Sequence, residues 1–437
     1  MKTTKFKPSE VGPIPEEWEV KPFSECFTLM RNNTYSRDCL TDLPGSVANV
    51  HYGDVLIRYG AVLDFEKDSV PYLKSGVKPN KDLLKDGDLI FADTAEDETA
   101  GKAVEVQGVR PRMAVAGLHT VACRPQDEIF APRYLGYYIN SAAYHNQLLP
   151  LMTGTKVTSI SRAGFVSTHV AIPPKSEQEK IAEALSDVDA LLAAITKLIE
   201  KKRAIKQGAM QELLGMRNDE FGMRNEPIRR LAGFSGAWVE KRLGECGYCY
   251  NGITGKSAND FGHGEAKYIT FLNVLFNVVI RQELFEDVDI AECERQNKVR
   301  KGDLFFNTSS ETPEEVGYCA VLDDEVRSVY LNSFCFGFRI TDETVDGRFM
   351  AYWFRSSGGR ELMTFLAQGS TRYNLSKESF RLASVIIPPT FAEQKAIAAV
   401  LSDMDAEVAA LESKRAKYES IKQGMMQELL TGKVSLG

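Results

Sequence analysis

Residues 177–214 read EQEKIAEALSDVDALLAAITKLIEKKRAIKQGAMQELL, and residues 393–430 read EQKAIAAVLSDMDAEVAALESKRAKYESIKQGMMQELL. Of these 38 aligned positions 21 are identical, at a constant offset of 216. Helical composition alone does not produce that agreement, so the chain is a tandem duplication. Each copy follows an Ile-Pro-Pro stop, Ile172-Pro173-Pro174 and Ile387-Pro388-Pro389, and each closes a far more diverged segment of about 170 residues. A helical module stayed fixed while the module before it changed.

The repeat carries its own geometry. Ile181, Leu185, Val188, Leu192, Ile195, Ile199, Lys202, Lys206, Ala209 and Leu213 follow a 4-3 alternation in the first copy. Ile397, Leu401, Met404, Val408, Leu411, Arg415, Tyr418, Lys422, Met425 and Leu429 follow it in the second. A period of 3.5 residues over about five heptads is a coiled-coil seam. Each helix of about 36 residues is roughly 54 Å long at 1.5 Å per residue. Proline suits the entry and not the interior. Two such helices in one chain most simply pair with each other; a parallel pair would put both heads side by side, and the antiparallel pair, which satisfies the symmetry of the repeat, is the one expected. Lys206 and Lys422 then meet the seam and fix its register. Gly208 and Gly424, poor helix formers, mark a close approach or a bend.

The diverged heads keep the same landmarks in the same order. Trp18 and Trp238 sit in EEWEVKPFSEC and GAWVEKRLGEC; Gly87-Asp88-Leu89 matches Gly302-Asp303-Leu304; Arg133-Tyr134 matches Arg348-Phe349. Short β-rich runs at 88–92, 103–106, 170–172 and 385–387 alternate with turns, while 134–149 and 349–366 have helical length and spacing. Each head is therefore α+β. The boundaries expected are 1–172 for the first head, 173–215 for the first helix, 216–233 for a linker, 234–387 for the second head and 388–432 for the second helix.

Composition sets limits. Hydrophobic and charged fractions of 43% and 26% are those of a globular protein. A net charge of −7 opposes nucleic-acid binding in bulk, unless the chain works inside a more basic assembly. The most apolar stretch, 271–280, is about half the length of a membrane span. The start of the chain shows no secretory signal, and the eight cysteines read as reduced thiols of a cytoplasmic protein. Cys246-x-x-Cys249 has no second ligand pair, so it reads as two idle thiols.

No catalytic constellation stands out. There is no Walker A string, no GxGxxG after a strand, no Asn/Asp-Pro-Pro-Tyr/Phe string and no duplicated histidine site. The better signal is polar and basic groups at turns. Arg110 and Arg112 flank a proline. Arg295, Lys298, Arg300 and Lys301 cluster before a strand. Gly154-Thr155-Lys156-Val157-Thr158-Ser159 corresponds to Gly369-Ser370-Thr371-Arg372-Tyr373-Asn374. Arg, Asn and Thr read base edges, whereas Lys and backbone N–H groups hold phosphates. The expected DNA-contacting set is Arg110, Arg112, Gly154, Thr155, Lys156 and Thr158 in the first half. In the second it is Asn307, Thr308, Gly369, Ser370, Thr371, Arg372, Tyr373 and Asn374.

Two divergent heads, each followed by a Pro-Pro, Glu-Gln, Leu-Ser-Asp helix ending in Ile-Lys-Gln-Gly and Met-Gln-Glu-Leu-Leu, resemble the specificity subunit of type I restriction-modification systems. The resemblance covers essentially the whole chain and rests on Glu177-Gln178, Ser186-Asp187, Asp189, 205–208 and 211–214 with their copies. It implies two target-recognition domains joined by an antiparallel intramolecular coiled coil. Each domain reads one half of an interrupted site in double-stranded DNA, and the helices set the spacer. It implies no catalysis and no cofactor in this chain. Two methyltransferase subunits carry S-adenosylmethionine and dock on the helices, and restriction subunits bring ATP-driven cleavage. A coiled-coil adaptor with two protein-binding heads is the alternative that the negative charge leaves open.

Overall fold

A computed structural model describes residues 5–79, 82–126, 128–219, 222–291 and 293–436. The chain divides into two compact units. One is Met1–Thr196 with Ser413–Gly437, the other Lys197–Glu412. The first unit is assembled from two separate segments, whereas the second is one continuous segment. The long helices Lys175–Leu214 and Phe391–Leu429 each contribute residues to both units.

In the first unit the core sheet has the order Phe27–Leu29, Thr120–Pro125, Leu89–Ala92, Ala103–Gln107, Val62–Asp64. All neighbours are antiparallel except the last pair. A second sheet pairs Met113–Ala116 in parallel with Val47–Val50. Leu89 to Ala92 are all fully buried, as a strand covered on both faces requires. The second unit repeats the plan. Gly247–Asn251, Cys335–Ile340, Leu304–Asn307 and Cys319–Val321 form one antiparallel sheet. The strand Phe261–Ile269 pairs in parallel with Val329–Leu331 in another.

The helical stretches expected at 134–149 and 349–366 are each broken. The first gives Tyr134–Ile139 and Ala142–His145, the second Gly347–Arg355 and Ser357–Leu366. The breaks fall at Ser141 and Ser356. Each serine has extended backbone angles and donates its hydroxyl to a carbonyl three residues back, Tyr138 and Trp353. A serine that satisfies the backbone locally competes with the helix. The expected linker is not bare coil: it contains the antiparallel strands Met216–Asp219 and Gly222–Pro227, with residues 220–221 outside the described ones.

Within each unit the two long helices run antiparallel. In the second unit Lys202 reaches Glu407 at 2.6 Å, and Lys206 pairs with Asp405. In the first, Lys422 reaches Asp189 at 2.5 Å, while Ile181 and Leu185 share a core cluster with Leu429. In both, numbers rise on one helix as they fall on the other. Ile181, Leu185, Ile397 and Leu401 are essentially fully buried. Each stabilises its unit by about 1.5–3 kcal/mol. Val188, Leu192, Met404 and Leu411 are half-buried, Val408 and Ile195 buried. The close approach expected at Gly208 and Gly424 is absent: a Cβ at either would meet nothing within 4 Å.

The glutamate and glutamine that open each copy of the repeat are buried. Gln178 accepts from the Ala131 N–H and donates to the Ile129 and Pro173 carbonyls. Gln394 does the same with Asp346, Thr344 and Pro388. Each amide thus welds the helix entry to the loop before a head helix. Glu177 accepts from Trp18 Nε1 at 3.0 Å, while Glu393 is held at both oxygens by Arg230 at 2.7 and 2.8 Å. Among the described residues no helix is long and apolar enough to cross a membrane; the apolar stretch 271–280 holds only the short helix Phe271–Phe276.

Candidate functional site

In each unit the carboxyl ends of several strands meet at one end of the sheets. In the first unit Leu89–Ala92 leads to Asp93, Met113–Ala116 to His119, and Val47–Val50 to His51. The backbone links these ends: Asp93 N–H to the His119 carbonyl, Asn33 N–H to Ala116, Ile160 N–H to Asp93. In the second unit Thr308 N–H reaches the Phe334 carbonyl, Leu375 N–H reaches Thr308, and Ile253 N–H reaches Leu331. Strand ends leave backbone and side chains facing outward, which is where open sheets place ligand sites.

Both expected turns stand at these rims. Thr158–Ser159 pairs with Thr94–Ala95, and Thr153 bridges Ser159 across the turn. Tyr373–Leu375 pairs with Ser309–Ser310 on one side and Ala367–Gln368 on the other. The glycines are dictated by geometry. Gly154 has φ +113° and Gly369 φ +145°, and a Cβ there would lie 2.0 Å from the Val157 carbonyl oxygen or 2.1 Å from that of Arg372. Only glycine fits. Thr155, Lys156, Ser370, Thr371, Arg372 and Asn374 are exposed; Thr158 and Tyr373 are half-buried.

Other expected contacts are elsewhere or already engaged. Arg110 and Arg112 precede the strand Met113–Ala116, so they lie at the opposite end of the sheet from the Gly154 turn, and Arg112 donates to the Phe65 carbonyl. The cluster Arg295, Lys298, Arg300 and Lys301 likewise precedes Leu304–Asn307, opposite the Gly369 turn. Asn307 is fully buried. Its amide donates to the Glu315 carbonyl at 2.8 Å and its oxygen accepts from Tyr318 N–H at 2.7 Å, so it cannot read a base. Thr308 gives its hydroxyl to the Phe334 carbonyl at 2.7 Å.

The rims hold residues absent from the expected set. Each turn runs into a short helix capped by serine, Ser161 or Ser376, whose first residue is a cation. Arg162 donates to Asn32 Oδ1 at 2.7 Å; Lys377 donates to Asn251 Oδ1. Asn32 in turn donates to the Gly117 carbonyl at 3.1 Å. Tyr52 stacks edge-on against His119, and Phe334 is 59% exposed. The His51 imidazole, which caps the helix Tyr52–Ile57 through the Gly53 N–H, is pushed below its ordinary pKa by burial. Ser-Arg and Ser-Lys at the same distance past each turn was the signal available in the sequence.

Away from the rim, the head meets the long helices through a staple. Tyr137 donates to Asp189 at 2.8 Å, and Lys422 pairs with the same carboxylate and lies 5.6 Å from the Tyr137 ring centre. Tyr352, Asp405 and Lys206 repeat it, at 2.7 Å for the phenol and 5.5 Å for the ring. Burial, then the nearby carboxylate, holds both phenols well above the usual tyrosine range. The seam lysines are thus partly buried partners of aspartates on the opposite helix. Burial also pushes up Cys246, and Cys249 to about 11, so neither is a ready thiolate. Among the described residues no group of three or more His, Cys, Asp or Glu could hold a metal ion.

Comparison with known proteins gives the following. The model of the type I restriction modification DNA specificity domain matches twice, at residues 15–207 and 237–423. The putative type I restriction enzyme MjaX specificity subunit of Methanocaldococcus jannaschii is 24% identical, over 99% of this chain and 97% of its own. The type I restriction enzyme EcoKI specificity subunit of Escherichia coli K12 is 22% identical over 86% and 80%. Among solved structures, the S subunit of a type I restriction-modification system from M. genitalium superposes with a TM-score of 0.56 at 14% identity, over 98% of both chains. A chain from a study of complex assembly and conformational transition of the type I R-M system gives 0.58 at 16%, over 96% and 99%. These likenesses carry the fold.

Proposed function

The chain belongs to the family of the type I restriction modification DNA specificity domain, which it carries in two copies, and from that membership we propose that each unit reads one half of an interrupted site in double-stranded DNA. The chain is a specificity subunit and non-catalytic. The observation that carries the two-headed reading is the pair of rims, built at the same place in each unit with different side chains: Thr155 and Lys156 in one, Thr371, Arg372 and Asn374 in the other. Two readers of unlike half-sites need that combination.

Two methylating subunits dock on what the copies share. Lys201, Ile205, Gly208 and Gln211 lie on one helix face, and Lys417, Ile421, Gly424 and Gln427 on the other. Ile205 and Ile421 are 45% and 39% exposed, and neither glycine has an internal neighbour to explain it. Identical exposed residues in both copies fit identical partners. S-adenosylmethionine, and ATP with the restriction subunits, belong to those partners, and the helices set the spacer between half-sites.

Mapping methylated sites in the host tests both parts. Exchanging residues 369–374 for another turn should change one half-site and leave the other intact; change in both, or in neither with DNA still methylated, would refute the two-headed reading. Adding one heptad after Thr196 and after Glu412 keeps the seam in phase and adds about 10.5 Å of helix. The surviving activity should then prefer a spacer about three base pairs longer.

A further inference from the structure

We propose that the amide-anchored cation beginning the helix after each turn, Arg162 held by Asn32 and Lys377 held by Asn251, is the residue through which each unit reads a guanine in its half-site. The inference rests on the reading that the units bind DNA. It goes further by naming the reader and its base.

Three observations carry it. The first is charge. Some cations of the heads are neutralised by carboxylates, Arg124 by Asp88, Arg339 by Asp303, Lys256 by Glu294 and Arg348 by Asp323, and others, Lys102, Arg355 and Arg360, are turned inward onto backbone carbonyls. Arg162 and Lys377 are held instead by neutral amide oxygens. Their charge is left for an outside acceptor, in a chain of net charge −7. The second is aim. A long cationic side chain normally loses rotamer freedom when it binds. Asn32, itself fixed to the Gly117 carbonyl, holds the guanidinium before any ligand arrives, and such preorganisation favours a fixed target over a mobile phosphate contact. The third is variation in place. Both cations follow a serine cap at the rim, yet one is Arg and the other Lys, and the anchors lie at different points: Asn251 ends a strand, and Asn32 lies beyond the strand Phe27–Leu29. A common partner would favour identity; two independent readers, one in each half-site, do not.

The base follows from the chemistry. Guanine presents O6 and N7 as adjacent acceptors in the major groove, matching two guanidinium N–H groups or one ammonium. Arg162, bidentate, should discriminate more sharply than Lys377.

The test uses the full chain with its partner subunits in the host, read by mapping methylated sites. Arg162→Gln should relax one guanine position of one half-site about ten- to a hundredfold, with the other half-site unchanged. Lys377→Gln should relax one guanine in the other half-site by less, and Lys377→Arg should sharpen it. Arg162→Lys, which keeps the charge, should give partial relaxation. Thermal unfolding should be unchanged, since Arg162 is exposed. Uniform weakening on all sequences, with the salt dependence of binding reduced by about one phosphate contact, would make the pair a backbone clamp and overturn the inference. So would an unchanged motif in a folded variant. A wild-type chain that directs no two-part motif would instead refute DNA reading by the units, and the inference with it.

Discussion

The staple and the rim differ in what the duplication preserved. In the staple the two units use the same three residues: Tyr137, Asp189 and Lys422 in one, Tyr352, Asp405 and Lys206 in the other. At the rim the cations share a position and differ, Arg162 against Lys377, while their anchors Asn32 and Asn251 are the same residue at different points. Identity marks what both units must do alike, which is to grip the helices. Position without identity marks what they must do differently. A third class lies between: Glu177 and Glu393 are the same residue in the same buried place, the first bonded at one oxygen by Trp18 and the second at both oxygens by Arg230. Here the carboxylate is fixed and its partner is free to change.

That contrast can be broken most forcefully at Glu393. It is 1% exposed, and Arg230→Met would leave its charge buried and unpaired. Removing one member of a buried pair costs about 3 kcal/mol or more, so urea unfolding should show the second unit severely weakened. Glu177→Gln keeps an acceptor for Trp18 and should cost only about 1 kcal/mol. Equal losses would mean that the two solutions are energetically the same.

The staple comes next. Asp189→Ala and Asp405→Ala each strand a lysine and a phenol that are only partly exposed, at about 2 kcal/mol. Because the staples match, the two losses should agree closely. A large difference, measured as separate unfolding transitions, would show that likeness of residues is not likeness of load.

The smallest effect has the opposite sign. Gly208→Ala and Gly424→Ala meet no atom within 4 Å and should each stabilise the isolated chain by about 0.5–1 kcal/mol. Copurification of the methylating subunits should fall at the same time, which separates a face kept for a partner from one kept for the fold.

Much of this arrangement could be read in advance because it was written periodically. The 4-3 spacing named the long helices, the duplication named their pairing, and the glycines at 154 and 369 named turns that backbone geometry enforces. The rest needed three dimensions. Asn307 has the chemistry of a base reader, yet its polar atoms are consumed inside the fold, and Thr308 has given its hydroxyl proton to a carbonyl; a strand's end does not announce which way its side chains turn. Arg112 is basic and beside a proline but sits at the other end of the sheet. Gln178 and Gln394 were visible as repeated letters; their welding of helix to head was not, because their partners lie about 50 residues away. Arg162 and Asn32 are separated by 130 positions, so nothing local could pair them.

The division of each long helix between the units has a consequence for synthesis on the ribosome. The core of the first unit, around Trp18, Ile181 and Leu185, is completed by Leu429 and Leu430. Every residue of the second unit is translated before those leucines emerge. At roughly 5–20 residues per second the first unit therefore waits on the order of 10–50 seconds with its hydrophobic face uncovered. The molecule closes its first-made half last.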